Sequence, residues 1–289
     1  MPCAAHEAMA SNTDAALIGR ANTFEQYQRY QERGHDVQLK LEEKVALVTG
    51  AGSGLGRAAA LAFAREGAIV VVADVVAETG EETVNMIKGA GGQASFVKTD
   101  VSKGVEVAAM VETAVKTYGR LDCAYNNAGI VVPPCPITDL TEDDWDRLMK
   151  VNLKGVWLCM KYEIPEMLKQ AGGAIVNASS MVGVIGLANR SAYAASKHGV
   201  LGLTKVAALE YAASGIRVNA ICPAVVRTPL VQSILDSDPQ AEHQLLSMVP
   251  MGRLGTTEEI AEVVLWLCSD AASFVTGHAM LVDGGVVAQ

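Results

Sequence analysis

The 289-residue sequence contains no apolar run that approaches the ~18 residues of a membrane-spanning helix. Its first residues also lack the basic and then apolar layout of a secretory signal. The six cysteines are scattered, with no CxxC pair and no cluster with histidine, which argues against a disulfide framework and against a metal site. We therefore expect a cytoplasmic protein with reduced thiols, no membrane partner and no bound metal.

Positive charge is in the minority. The chain has 23 lysines and arginines against 32 aspartates and glutamates, a formal net charge of −9 at pH 7. Affinity for nucleic acid comes largely from clustered cations, so this balance argues against a nucleic-acid partner. Hydrophobic residues make up 50% of the chain, which is enough for a large core and excludes intrinsic disorder over most of its length.

The composition of the chain changes near residue 40. Residues 1–40 are polar and weakly patterned, with a capping-box pattern at Thr23 and aromatic residues at Phe24, Tyr27 and Tyr30. This spacing predicts a short helix that docks on the main body or on a neighbouring subunit, or else a partly ordered extension. We expect residues 41–289 to form a single domain after this extension.

From residue 44 onward, short apolar runs rich in β-branched residues alternate with helix-like segments. Several runs are apolar without alternation, as expected for strands covered on both faces. This order predicts a doubly wound α/β fold, with a seven-stranded parallel sheet and helices on both faces. The predicted strands are 45–49, 69–74, 94–98, 121–126, 174–178, 217–222 and 279–282. The predicted helices include 56–66, 105–118, 141–169, 192–213 and 257–269, and two short helices around Pro239 in the stretch 229–250 would suit a mobile lid.

A glycine-rich segment joins the first predicted strand to the helix after it: Thr49-Gly50-Ala51-Gly52-Ser53-Gly54-Leu55-Gly56. Glycines allow a tight turn and let backbone N–H groups approach a pyrophosphate, while the helix N-terminus favours an anion. Glycine also marks ordinary turns. The position of this segment between a strand and a helix nevertheless predicts a dinucleotide-binding loop.

An acidic residue, Asp74, ends the second predicted strand. A carboxylate at this place accepts hydrogen bonds from the adenosine ribose hydroxyls and repels a 2′-phosphate. Ser53 and Val75, where a phosphate-binding cation could lie, are both uncharged. The sequence therefore favours NAD over NADP as cofactor, and the alternative interpretation of Asp74 is a solvated carboxylate at a strand end.

Two side chains of different chemistry share one face of the predicted helix 192–213. Tyr193 and Lys197 are four residues apart, so both lie on one side of the helix. An ammonium close to a phenol is expected to lower the phenol pKa by about 1–3 units, toward the working range of a general acid/base. A pair of serines, Ser179 and Ser180, lies shortly before in the chain and offers a donor for a developing oxyanion.

With these motifs the chain resembles the short-chain dehydrogenase/reductase family, of the compact single-domain branch with a TGxxxGxG loop and a Rossmann fold. The resemblance covers about residues 42–287. It rests on the glycine loop, on Tyr193-x-x-x-Lys197, and on further motifs in the same order: Asp100-Val101, Asn126-Asn127-Ala128-Gly129, Asn152, the segment from Pro223 to Thr228, and Asp283-Gly284-Gly285.

The resemblance implies roles for four catalytic residues. Tyr193 would exchange the proton of the substrate oxygen, and Ser180 would hydrogen-bond that oxygen. Lys197 would lower the pKa of the tyrosine and hold the nicotinamide ribose, while Asn152 would support a water chain from Lys197 to solvent. Ser179 would be structural.

The resemblance also implies a cofactor-binding set and a substrate pocket. The cofactor set consists of Gly50, Ser53, Gly54, Leu55, Gly56, Asp74, Asp100, Val101, Asn127, Ala128, Gly129, Tyr193, Lys197, Pro223, Val226 and Thr228. The pocket would be formed by Ser180, Met181, Val182, Tyr193, Ala224 and Val225, with further apolar residues such as Ile185 and Leu187. Because these side chains are mostly apolar and include no cation, we expect a small neutral alcohol or ketone as substrate. One residue departs from the family pattern: Ala224 stands where a glycine is usual.

The resulting hypothesis is an NAD-dependent secondary-alcohol dehydrogenase or carbonyl reductase. A diol or steroid-type hydroxyl dehydrogenase would use the same residues, and a non-catalytic dinucleotide sensor or scaffold is the alternative from another functional class. The resemblance further implies a homotetramer, with the predicted helices 141–169 and 192–213 packing across one interface. His198 and His243 are interpreted as structural or surface residues.

Overall fold

The computed structural model describes residues 41–237 and 241–289. Within this range, seven strands form one sheet in the order β3-β2-β1-β4-β5-β6-β7, and each neighbouring pair is parallel. The predicted doubly wound fold with a seven-stranded parallel sheet is confirmed. The strands are β1 (Val45–Thr49), β2 (Ile69–Asp74), β3 (Ala94–Lys98), β4 (Cys123–Asn126), β5 (Gly173–Ala178), β6 (Ile216–Pro223) and β7 (Ala279–Val282).

Helices connect the strands and cover both faces of the sheet. Neighbouring residues of β1 show this directly, since Val48 packs into one hydrophobic core and Leu47 into another, and both are fully buried. The helices are α1 (Gly54–Arg65), α2 (Ala77–Gly89), α3 (Gly104–Tyr118), α4 (Glu142–Met149), α5 (Gly155–Lys169), α6 (Ser191–Tyr211), α7 (Pro229–Ser237), α8 (Ala241–Ser247) and α9 (Thr257–Cys268). Residues of α1, α2 and α9 belong to the core around Val48, and residues of α3, α5 and α6 belong to the other.

The strand order reverses between β1 and β4. The connections from these two strands leave toward opposite faces, so a crevice opens at their carboxyl ends, where ligands bind in open α/β sheets. The glycine-rich segment follows β1 and the Asn127-Ala128-Gly129 segment follows β4. The fold therefore brings two of the predicted cofactor-binding segments to one crevice.

The structure corrects one helix prediction and confirms another, and a third lies outside the described residues. The predicted helix 141–169 is interrupted: α4 ends at Met149, a π-helical turn spans Lys150–Lys154, and α5 follows. The two short helices predicted around Pro239 are confirmed as α7 and α8. The helix predicted within residues 1–40 lies outside the described residues.

Among the helices of the described ranges, none combines the length and apolarity of a bilayer span.

Candidate active site

The glycine-rich loop after β1 has a backbone that larger residues would not fit. Gly50 and Gly54 have φ values of 64° and 52°, in the left-handed region that favours glycine. A Cβ on Gly50 would lie 2.9 Å from the Cα of Ala128, and one on Gly56 would meet the carbonyl oxygen of Gly50. Ser53 precedes α1 without a side-chain cap, and the first turn of α1 carries no acidic residue. The helix start therefore keeps its N–H groups and positive dipole end for an anion.

Asp74 is fixed toward this loop by two backbone hydrogen bonds. The N–H of Gly52 donates to its Oδ2 at 2.8 Å, and the N–H of Val76 donates to its Oδ1 at 3.0 Å. A cation of α1, Arg57, approaches the same loop, but its guanidinium donates to the Gly52 carbonyl and to Glu82 at 2.6 Å. The carboxylate therefore sets the local charge at the end of β2.

Asp100 and Val101, predicted to contact adenine, are engaged within the protein. The Asp100 carboxylate accepts from the N–H and hydroxyl of Ser102, at 3.0 and 2.7 Å. Burial raises the pKa of Asp100, but hydrogen bonds from Ser102 and Lys103 outweigh it, so the pKa lies below its usual value. Val101 is 6% exposed and lies against Gly155. An adenine contact by these residues would therefore come mainly from the backbone of the segment.

The loop after β4 is joined to the glycine loop by Thr49, the first residue of the glycine-rich segment, to which the sequence analysis assigned no individual role. The Thr49 hydroxyl accepts from the N–H groups of Asn127 and Ala128, at 3.0 and 3.1 Å. The Asn127 amide in turn donates to the carbonyls of Thr49 and Gly50. A small polar residue at a strand end is a weak sequence signal, and here it connects the two sides of the crevice.

Asn152 lies in the π-helical turn, where the widened backbone carries its side chain into the protein interior. It is fully buried; its Oδ1 accepts from the N–H of Ile130 at 2.8 Å, and its Nδ2 donates to the Ile130 carbonyl at 2.9 Å. A Cβ on Gly129 would lie 3.3 Å from the Asn152 Oδ1. Single π turns are frequent at functional sites, and this one supports the loop after β4.

Ser180, Tyr193 and Lys197 come together above the end of β5. Ser180 opens a short 3₁₀ turn, with its hydroxyl accepting from the N–H of Val182 at 3.2 Å, and its side chain lies beside that of Tyr193. The Lys197 Nζ lies 5.6 Å from the centre of the Tyr193 ring and donates to the carbonyl of Ala178 at 2.7 Å. Ser179 donates to the Lys197 carbonyl and so joins β5 to α6. The predicted trio is therefore assembled by β5 and α6.

The predicted lowering of the Tyr193 pKa is wrong for the protein alone. Burial raises the pKa of Tyr193, and the nearby Ser180 side chain and the charge of Arg190 only partly oppose this rise. Burial also lowers the pKa of Lys197 to about 8, against an opposing effect of Cys222. Both shifts have the same cause, because a dry environment disfavours the charged form of each group.

The segment after β6 faces the glycine loop from the other side. The Thr228 side chain lies 3.7 Å from the position that a Cβ on Gly54 would occupy. Val226 is buried and its carbonyl accepts from the N–H of Thr228 at 2.8 Å, while Ala224 donates to the Val282 carbonyl at 3.3 Å. Pro223 ends β6 itself. The predicted cofactor-binding residues after β1, β4 and β6 thus border one crevice.

The predicted substrate-pocket residues differ in how much surface they offer. Met181 and Val182 are only 6% and 3% exposed. Ala224 and Val225 line a cavity of about 140 Å³ together with residues of the 249–255 segment. More apolar surface is offered beside the serine turn and on α7, at Val184, Leu187 and Leu230. Of these, Val184 was not identified from the sequence.

The remaining polar candidates stay outside this arrangement. His198 is exposed and its Nδ1 lies 2.9 Å from the carbonyl of Ala194 on its own helix. His243 is exposed on α8. In residues 41–237 and 241–289, no three His, Cys, Asp or Glu side chains are grouped to hold a metal ion.

Comparison with known proteins adds independent information. The family profile described as "Enoyl-(Acyl carrier protein) reductase" matches residues 50–287. The chain is 46% identical over 245 residues to the cyclohexanol dehydrogenase of Acinetobacter sp. (strain SE19), covering 85% of this chain and 95% of that protein. It is 41% identical over 249 residues to the 2,5-dichloro-2,5-cyclohexadiene-1,4-diol dehydrogenase of Sphingobium indicum, covering 86% and 98%.

A solved structure gives the same result for the fold. The crystal structure of a proposed 2-deoxy-D-gluconate 3-dehydrogenase of Agrobacterium tumefaciens, with bound NADP, superposes with a TM-score of 0.80 at 37% identity. The alignment covers 88% of this chain and all of that one. The described architecture is therefore shared with a protein whose crystal structure contains bound NADP.

Proposed function

Because the chain belongs to the short-chain dehydrogenase/reductase family, we propose that it is an NAD(H)-dependent oxidoreductase that interconverts a secondary alcohol and a ketone. The observation that carries this proposal is the meeting of Ser180, Tyr193 and Lys197 beside the glycine-rich crevice. A scaffold without catalysis has no need of a partly buried phenol with a buried ammonium and a buried hydroxyl close to it.

The residues of the crevice fit a nicotinamide dinucleotide. The backbone at Gly50 and Gly56 leaves room that a Cβ would fill, and the start of α1 is free of acidic residues. These segments would hold the pyrophosphate, Asp74 the adenosine ribose, and Thr228 and Lys197 the nicotinamide half. When bound, the dinucleotide supplies the hydride acceptor or donor.

The side chains of the protein provide the proton transfer and the orientation. In alcohol oxidation, Tyr193 as phenolate accepts the hydroxyl proton of the substrate. Ser180, whose side chain lies beside that of Tyr193, donates to the substrate oxygen and stabilises the charge that develops on it. Lys197 contributes a positive charge next to the phenol ring. In ketone reduction, Tyr193 returns the proton.

For the substrate we propose a neutral alicyclic secondary alcohol. Val184, Leu187 and Leu230 offer apolar surface near the serine turn and on α7, which suits a hydrocarbon ring better than a carboxylate. The similar proteins named above act on a cyclohexanol and a cyclohexadiene diol. A diol dehydrogenase on the same site is the second candidate, favoured by the second of these relatives.

A substrate panel tests the proposed reaction. Purified protein is supplied with NAD and, in turn, cyclohexanol, a cis-cyclohexanediol, an open-chain secondary alcohol, a hydroxysteroid and a 2-hydroxy acid, with NADH absorbance as the readout. We expect the highest kcat/KM for a cyclic neutral alcohol. Turnover of the hydroxy acid alone would contradict the proposed substrate class, and dinucleotide binding without turnover of any compound would favour the sensor or scaffold alternative.

The preference for NAD depends on the carboxylate at the end of β2. Replacing Asp74 with alanine removes the charge that repels a 2′-phosphate, so the ratio of kcat/KM for NADP to that for NAD is expected to rise about ten-fold or more. The same substitution at Glu78, an exposed acid on α2, is the matched control and should leave the ratio unchanged. An equal loss with both cofactors after Asp74→Ala would refute the ribose-hydroxyl role.

We also propose a homotetramer in which an apolar groove beside α6 is covered. This groove has a volume of about 580 Å³ and is lined by residues of α4, the π turn, α5 and α6, among them Leu153, Trp157, Leu203 and Val206. Trp157 and Val206 are 43% and 54% exposed, and contiguous apolar surface of this kind is typical of an interface. We further propose a cytoplasmic location and a domain boundary near residue 40.

Light scattering tests the assembly. Val206→Asp places a charge in the groove and is expected to reduce the measured mass to that of a smaller species. Val105→Asp on α3 is the control, because Val105 is 85% exposed and lies away from the groove. A wild-type mass equal to one chain, or no effect of Val206→Asp, would argue against this interface.

A further inference from the structure

A chain of polar side chains is buried between the sheet and α5, below the candidate active site. Glu163 of α5 is fully buried, and its Oε2 accepts from the Asn126 amide at 3.0 Å. The same amide donates to the Asn177 Oδ1 at 3.1 Å, and the Asn177 amide donates to the Thr204 hydroxyl at 3.0 Å. Thr204 donates to the Val200 carbonyl at 2.8 Å. All four side chains are at most 1% exposed.

These four buried side chains have fewer hydrogen-bond donors than acceptors. Both hydrogens of the Asn126 amide are used, and those of the Asn177 amide go to Thr204 and to the Met160 sulfur. Two acceptors, the Glu163 Oε1 and the Asn126 Oδ1, have no partner. A carboxylate would add another acceptor to a set that is already short of hydrogens, whereas a protonated carboxyl supplies one. The inventory therefore favours the neutral acid.

The surroundings of Glu163 favour the same form. Burial raises the pKa of Glu163 to about 7, against the smaller effect of the Asn126 hydrogen bond. The titratable neighbour on its own helix is Cys159, whose thiol pKa is raised by its own burial and further by the Glu163 charge. The other elements packed around it present no cation among the described residues: β4 and β5 contribute asparagines, α6 contributes Thr204, and α3 contributes apolar side chains.

The polar chain connects the elements that carry the catalytic groups. Asn126 and Asn177 are register partners on β4 and β5. Asn126 directly precedes the Asn127-Ala128-Gly129 loop, and Asn177 directly precedes Ala178, whose carbonyl accepts the Lys197 ammonium. Thr204 lies on α6, two turns after Lys197. A shift of Glu163 would therefore reach the loop after β4, the serine turn and the Tyr193 helix together.

We propose that Glu163, held as a neutral acid, is a positioning residue that fixes the ends of β4 and β5 and the helix α6 relative to one another through Asn126, Asn177 and Thr204. It touches neither substrate nor cofactor. The kinetic consequences of this inference rest on the proposed function. The protonation state of Glu163 does not depend on that function and can be measured separately.

The kinetic test compares Glu163→Gln with the wild type over a pH series. Glutamine keeps the shape and hydrogen-bonding capacity of the neutral acid and does not ionise. We expect the kcat of Glu163→Gln for alcohol oxidation to lie within about two-fold of the wild-type kcat near pH 6. The ratio of the variant kcat to the wild-type kcat should then rise about five-fold from pH 7 to 8.5, because the wild-type carboxyl ionises and the glutamine does not. Glu166→Gln, on the surface of the same helix, should show a flat ratio. A flat ratio for Glu163→Gln would overturn the positioning role.

A second variant separates positioning from simple packing. Glu163→Leu removes the hydrogen bond to Asn126 and is expected to lower kcat about ten-fold with a change in KM for NAD below about three-fold, because misplaced groups affect the chemical step most. Unchanged kcat in a folded Glu163→Leu protein would overturn the inference, and so would an equal loss in Glu163→Gln near pH 6.

Two measurements decide on the neutral acid independently of turnover. Infrared spectra near pH 6 should contain the C=O stretch of a protonated carboxyl that disappears in Glu163→Gln. Because the folded protein keeps this proton from pH 4.5 to about 7 while the unfolded chain has lost it, wild-type stability falls with pH across that interval. The melting temperature of Glu163→Gln relative to the wild type should therefore rise from pH 5 to 7. A missing band or a constant difference would overturn the assignment, and failure of the substrate panel alone would refute the proposed function.

Discussion

Replacing Tyr193 with phenylalanine is expected to lower kcat for alcohol oxidation by about 10²–10⁴-fold, the usual contribution of a general base. The substitution removes one oxygen atom and leaves the ring, which packs with Val132, Leu148 and Ala192. Folding and dinucleotide binding should therefore be preserved. The measurements are steady-state kinetics on the best substrate of the panel, NADH binding by fluorescence and the melting temperature.

Tyr211→Phe is the matched control for this experiment. Tyr211 is the last residue of α6 and packs against the core around Leu47, so the same substitution on the same helix should leave kcat near the wild-type value. If Tyr193→Phe and Tyr211→Phe had equal kcat, the proton-transfer role of Tyr193 would be refuted. Loss of NADH binding in Tyr193→Phe would instead indicate a structural role for the hydroxyl.

The pH dependence of the wild type gives a second view of the same group. Because burial raises the pKa of Tyr193, little phenolate is present at neutral pH and its fraction grows as the pH rises. Alcohol oxidation should therefore accelerate with rising pH, and ketone reduction, which needs the protonated phenol, should not. In Tyr193→Phe the residual oxidation rate should lose this acceleration.

Lys197→Met is expected to reduce kcat by about 10²-fold or more and also to weaken NAD binding. The ammonium next to the Tyr193 ring is lost, and with it the donor to the Ala178 carbonyl at 2.7 Å. Lys205→Met is the control, since Lys205 is exposed on the same helix. A Lys197→Met protein with wild-type kcat would contradict the proposed role of the ammonium.

Lys197→Met is expected to lower kcat but to keep or raise the stability of the folded protein near neutral pH. Burial lowers the pKa of Lys197 from 10.5 to about 8, so between these values the folded protein binds fewer protons than the unfolded chain. Wild-type stability therefore rises with pH from 8 to 10.5, and the full destabilisation by the buried ammonium is present below pH 8. We expect the melting temperature of Lys197→Met to equal or exceed that of the wild type near pH 7, with the difference shrinking toward pH 10. A much lower melting temperature near pH 7 would show that the bond to Ala178 outweighs the desolvation of the charge.

The sheet could be predicted from the sequence because its central strands, such as β1, are buried on both faces. The run 69–73 is apolar throughout and rich in valine. Four of the seven predicted strands, among them 69–74, have the observed bounds. The glycine loop was equally accessible, since its residue types follow from backbone conformations that few other residues adopt. The roles assigned to the individual site residues stay predictions.

Other features depend on the packed structure and have no local sequence signature. The π turn at Lys150–Lys154 lies between two α-helices and is itself helical, so the spacing of apolar residues changes little across it. The direction of the Tyr193 pKa depends on how deeply α6 buries the ring, which residue spacing does not reveal. The residues around Glu163 in the sequence are both polar and apolar, so they do not indicate whether its side chain is buried. Its burial follows from the packing of α5 against β4 and β5.

The apolar surface around the crevice and the proposed proton-transfer groups belong to different parts of the chain. Tyr193 and Lys197 are carried by a long helix packed on the sheet, whereas Val184 and Leu187 lie in the segment between β5 and α6 and Leu230 lies on the short helix α7. The hydrogen bonds of the Ser180, Ser179 and Lys197 side chains involve none of these three apolar side chains. Natural selection or laboratory evolution could therefore alter substrate range in this scaffold by small steps, each of which preserves a working enzyme.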